Sequence, residues 1–152
     1  MEWATLTVDT VTAVKDVLEA ALPTTRVQAL GSLSDGVQDV PIIQVHYQGE
    51  GPEPGSATDH TVHAGVMQCD MRLGILAFVR YRSKFSADSV AIAEWVDLYR
   101  TVLRANTKTR WGTTGSPSIR SFSSSQLDPI AWEVAGQKTV MGFSATLTLR
   151  IF

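Results

Sequence analysis

Two stretches of the chain repeat apolar residues at three- and four-residue steps, the period of a helix with one buried stripe. In the first, Val11, Val14, Leu18, Ala21 and Leu22 share a face. Asp9 or Thr10 is placed to cap it, Lys15 stands four residues before Glu19, and Pro23 ends it. In the second, Ile92, Trp95, Val96, Tyr99, Val102 and Leu103 form the stripe. Ser86 is its expected N-cap, and Phe85 is expected to staple onto Val90. Arg100, Arg104 and Lys108 gather where they complement the C-terminal end of the helix dipole.

Elsewhere the pattern is extended. Val27 to Leu30 is a short strand candidate. Val40 to Tyr47 is rich in β-branched residues, and Pro41 marks its beginning or an edge. In residues 66–82, Met67, Cys69, Met71, Leu73, Ile75, Ala77, Val79 and Tyr81 fall on one face. Gln68, Asp70, Arg72, Leu76, Phe78, Arg80 and Arg82 fall on the other. Such a strand would reach about 55 Å, so Gly74 is the expected bend or bulge and part of the segment is expected to project. Ile119 to Ser124 and Ile130 to Val134 are two further strand candidates. Residues 139–152 alternate cleanly, with Met141, Phe143, Ala145, Leu147, Leu149 and Ile151 opposite Ser144, Thr146, Thr148 and Arg150. The elements predict one α+β domain over residues 1–152, in the order α-β-β-β-α-β-β-β. Its mixed, mainly antiparallel sheet carries two helices on one face. Residues 49–63, with Gly49, Gly51, Pro52, Pro54 and Gly55 among acids, have no periodicity and read as an acidic protruding loop or arm.

Composition narrows the class. At 152 residues with 44% hydrophobic and 18% charged side chains, the chain can fill one core. Cys69 is its single cysteine, which excludes an internal disulfide. No apolar run approaches the roughly 18 residues of a membrane span, and nothing at the start reads as a signal peptide. The net charge of −2 conceals a division. Residues 1–70 carry ten acids and two bases, and residues 71–152 carry five acids and eleven bases, so the halves stand at −8 and +6. Such halves either neutralise each other within one fold or supply complementary faces between copies. A pI near 5.9 argues against a dedicated DNA-binding domain.

Catalytic chemistry finds little support. Asp59, His60, His63, Cys69 and Asp70 are metal-ligand types, but no second cluster completes a tetrahedral set. Cys69 falls on an apolar face beside Met67 and Met71, as a structural thiol does, and His46 on its strand reads as an exposed or hydrogen-bonded residue in preference to a base. Gly49-x-Gly51 is followed by prolines that lack the amides of a phosphate loop. Gly112-Thr113-Thr114-Gly115 lacks a P-loop lysine. There is no nucleophile elbow and no singled-out carboxylate pair. Lys108-Thr109-Arg110-Trp111 could lie along a phosphate backbone or be a solvated loop. No enzyme activity, cofactor or metal is expected. Trp3 and Trp111 lie outside the periodic stripes and are candidate interface anchors.

The succession of pieces resembles the tail terminator proteins of long-tailed bacteriophages, the lambda-type terminator family. The resemblance spans nearly the whole chain. It is carried by the helix Thr10 to Leu22, the strand Val40-Pro41-Ile42-Ile43-Gln44-Val45-His46-Tyr47-Gln48-Gly49-Glu50, and the long strand ending Leu76-Ala77-Phe78-Val79-Arg80. The Ser86-capped helix with Trp95 and the amphipathic strand Phe143 to Phe152 complete it. It implies a virion protein of the tail or neck, assembled in the host cytoplasm. Such a protein forms a homo-oligomeric ring, usually a hexamer, that caps the head-proximal end of the tail tube, ends tube polymerisation and joins the head connector. Its partners would be itself, the tail tube protein and the connector, with DNA passing through the lumen without sequence-specific binding and no membrane. Head–tail joining and tail-completion proteins of the neck are similar. A small α+β ligand-binding domain or enzyme is the alternative of another class, with His46, Cys69 and Tyr81 as its candidates. Under the ring reading, the arm acids Glu50, Glu53 and Asp59 are expected to meet Arg80, Arg82, Lys84 and Arg104 of a neighbour.

Overall fold

In the computed structural model, residues 6–22, 26–29, 40–50, 61–63, 66–105, 119–134 and 138–151 are described. The first helix, α1, spans Leu6–Ala21, and the second, α2, spans Phe85–Ala105. The strands are β1 (Arg26–Ala29), β2 (Ile42–Glu50), β3 (Thr61–His63), β4 (Val66–Tyr81), β5 (Ile119–Val134) and β6 (Lys138–Ile151). The sheet runs β1-β2-β4-β6-β5, with β3 added on β4. β1 is parallel to β2 and every other pairing is antiparallel. This is the expected α+β class, with both helices on one sheet face.

Two details of the order differ from the alternation. The serine-rich and Ile130 pieces are one strand, β5, because a register shift between Ser125 and Asp128 absorbs the break in alternation. The segment 49–63 is not irregular throughout: Gly49 and Glu50 end β2, and residues 61–63 form β3, with His63 paired to Val66. Residues 66–68 of β4 pair with β3 alone, beyond the reach of β2 and β6. That hairpin is the projecting part of the long strand.

The centre of the face under the helices is apolar. Val11, Val14, Leu18 and Leu22 of α1 and Ile92, Tyr99, Val102 and Leu103 of α2 bury themselves against it. Beneath them lie Ile43, Val45, Met71, Leu73, Ile75, Ala77, Phe143, Leu147 and Leu149. Trp95 and Val96 pack at the margin of this core, as the stripe predicts, whereas Ala21 is exposed. Tyr99 and Phe143 meet as tilted rings 5.6 Å apart, an arrangement suited to the aromatic quadrupole. The Tyr99 hydroxyl shares a 3.1 Å hydrogen bond with Ser124 Oγ, and burial pushes its pKa up to about 12.

Gly74 is not a bulge. It pairs in register with His46 and Thr146. A side chain there would collide with the His46 ring and the Gln48 amide, so glycine lets both lie across the strand. Gln48 thereby reaches Thr146, whose hydroxyl donates to Gln48 Oε1 at 3.4 Å. The irregularities sit instead at Gln48 and Val79. The extra residue at Val79 reverses the alternation beyond it. Arg80 comes opposite Met141 on the helix face, and Tyr81 opposite Val140 on the far face. Sequence alternation places these two side chains the other way round.

Candidate subunit interface

The end of the sheet where β4 leaves for α2 gathers exposed aromatic and basic side chains. Tyr81 and Trp132 both pair with Val140, so they stand two strands apart in one row. They are 37% and 43% exposed. The Lys138 ammonium lies 5.3 Å from the centre of the Tyr81 ring, a cation–π contact. Arg82 and Lys84 follow, both exposed, and then Phe85, which is 88% exposed. Protein–protein interfaces are enriched in aromatic residues and arginine.

The corner is held rigid by a polar anchor. Asp88 is 4% exposed although it carries a carboxylate. Its Oδ2 accepts a 3.0 Å hydrogen bond from the Ser83 amide, and its amide donates to the Lys84 carbonyl at 2.9 Å. Lys84 is therefore the N-cap, with Ser86 inside the first turn. The Arg80 guanidinium Nε lies 3.2 Å from Asp88 Oδ1. That contact is ionic and lacks hydrogen-bond alignment, since Oδ1 has no hydrogen-bond partner. Phe85 does not staple onto Val90, because both are exposed. The buried acid Asp88 occupies the inner position of this turn, and Phe85 projects past the end of the packed stripe.

The basic candidates thus divide. Arg80, Arg82 and Lys84 share the corner, with Arg80 engaged by Asp88. Arg104 is in the last turn of α2, about 30 Å along the helix. Glu50, half-buried at the end of β2, and Arg104 each have a partner. Glu53, Asp59, Trp3 and Trp111 lie outside the described residues, as do Pro23, His60, Lys108 and the Lys108–Trp111 segment. Cys69 pairs through its backbone with Ile151, and its side chain is not described. Of the capping candidates for α1, Asp9 lies in the first turn and Thr10 is buried inside the helix, which begins at Leu6.

A groove separates α2 from β5. Ile92, Ala93 and Val96 face Leu127 and Pro129 across it, with Phe143 beneath, and it holds about 320 Å³. Ser89, Asp97, Arg100 and Asp128 complete the lining. Sequence reading misses both the groove and the exposed Phe85. The groove lies beside the β5 irregularity between Ser125 and Asp128, which no single-strand pattern records.

The far face of the sheet is polar at one end. Asp70, buried, receives two hydrogen bonds from Arg150, 2.9 and 3.0 Å long. Arg72 is buried and its Nε has no hydrogen-bond partner. Gln44 donates to Gln28 at 3.2 Å. His46 is half-buried, and desolvation holds its pKa below the ordinary imidazole value. Among the described residues, no group of three His, Cys, Asp or Glu side chains is placed to hold a metal. No described helix is long and apolar enough to cross a membrane. The chain matches no protein-family model, and no curated protein is significantly similar to it.

Proposed function

We propose that this chain is a structural protein of a phage neck, forming a ring that caps the head-proximal end of the tail tube. The ring ends tube polymerisation and offers a joining surface to the head connector. DNA crosses its lumen without sequence-specific contacts, and the role asks for no catalysis and no cofactor. The reading takes its starting point from the order of elements in the sequence. The observation that carries it is the exposed corner of Tyr81, Arg82, Lys84, Phe85 and Trp132. Large exposed aromatics grouped with cations favour a protein partner, since a solitary monomer gains nothing from leaving them in water.

The test is negative-stain microscopy of the purified protein across a concentration series, alone and with tail tube protein. Rings, or tubes that stop at a defined end when the protein is added, are the expected result. Tubes of unchanged length, with no rings at any concentration, would overturn the capping reading. Binding to the connector without any effect on tubes would assign the protein to head–tail joining instead.

A further inference from the structure

We infer that the groove between α2 and β5 receives the Phe85 side chain of a second copy of this chain. An apolar space of about 150 Å³ accommodates a benzene ring. The groove, at about 320 Å³, has room for a phenyl group and the helix turn that carries it. Phe85 of the same copy does not fill it: that ring is 88% exposed and stands one helical turn before Ser89, the nearest lining residue on α2.

Charge selects the same pairing. Arg82 and Lys84 precede Phe85, and the N-terminal end of α2 adds partial positive charge. On the groove rim Asp97 and Arg100 neutralise each other at 3.4 Å, which leaves the exposed carboxylate of Asp128 as the net charge. A cationic knob with an aromatic tip therefore meets an apolar slot with an acidic rim. The inference rests on the reading of the corner as a contact between copies.

Cysteine cross-linking tests it, with Cys69 retained in every variant. Ser86→Cys and Ala93→Cys change exposed positions, where substitutions perturb stability little, and leave the Phe85 ring in place. Within one chain these two sites are seven residues apart on one helix, too far for a disulfide, so any bond between them joins two copies. An equimolar mixture of the single variants, oxidised and digested, is expected to yield the 86–93 peptide pair. The mixture should give at least about tenfold more cross-linked dimer than either variant alone, and adding Phe85→Glu to the Ser86→Cys variant should remove that excess. The double variant should form covalent dimers if the exchange is reciprocal, or a ladder of multimers if it runs head to tail; either supports the occupant. In sedimentation, Phe85→Glu should weaken self-association by at least about tenfold. Absence of the 86–93 bond, or unchanged association of Phe85→Glu, would overturn the inference. Bonded copies with no effect on tubes would instead sink the capping reading alone, and capped tubes without the 86–93 bond would sink this one alone.

Discussion

The two faces of the central strands are built on different principles. Toward the helices, Leu73, Ile75, Phe143, Leu147 and Leu149 fill space, and the buried polar side chains of the helices are few: Thr10, Asp88 at the corner, and the Tyr99 hydroxyl that Ser124 engages. On the far face the same strands present Gln44, His46, Gln48, Asp70, Arg72, Thr146 and Arg150 around a small apolar cluster of Ile42, Phe78 and Val140. The helix face depends on volume. The far face depends on matched polar partners and on the space that Gly74 leaves open. One chain thus carries a core tolerant of conservative apolar exchange and a surface in which each partner is specified.

The comparison can be broken most severely at Phe143. Phe143→Ala should lower the unfolding free energy by about 3–5 kcal/mol, read by chemical denaturation. A loss of under 1 kcal/mol would mean that the helix face collapses freely and is not close-packed. On the far face the informative change adds atoms. Gly74→Ala should destabilise by about 1–3 kcal/mol by driving His46 and Gln48 off the strand. Introducing His46→Ala beside it should recover part of that loss, and strict additivity of the two would contradict the packing described. The smallest effect is that of pH. Burial lowers the folded pKa of His46, so below the ordinary imidazole value the unfolded chain takes up a proton that the folded chain resists. Stability should therefore fall as pH drops from about 6.5 through the lowered folded value. His46→Asn should show a shallower fall over that window. Identical slopes would place the imidazole in water as freely as in the unfolded state.

The helix face was legible because its residues obey one period. Apart from the exposed Ala21, the stripes of α1 and α2 and the odd positions of β6 from Met141 on are buried or packed against the core as their spacing predicts. The end of β4 was not, because a single unpaired residue at Val79 reverses parity and carries Arg80 to the helix side. Alternation alone has no mark for an inserted residue. A bend is the local reading of Gly74, but its lack of a side chain serves His46 and Gln48 on the neighbouring strand, which lie 28 and 26 residues away in sequence. Of the interface candidates, adjacency in the chain brings Arg80, Arg82 and Lys84 together. The staple of Phe85 onto Val90 assumes an N-cap at Ser86; the cap is Lys84, so the frame moves by two residues and both side chains stay exposed.

The place of β6 has a consequence for synthesis. It is the last of the described strands in order along the chain, yet it lies between β4 and β5 and pairs with β5 and with β4 from Cys69 onward. A ribosome releasing this chain from its beginning delivers α1, β2, β4 and α2 first, but the floor on which α2 rests is half missing until residues 138–151 emerge. Before then β4 offers an unpaired edge and β5 has no neighbour. A nascent chain stopped short of residue 138 would display strand edges able to pair with other chains. The sheet closes in one late step, when β6 slots between two waiting strands.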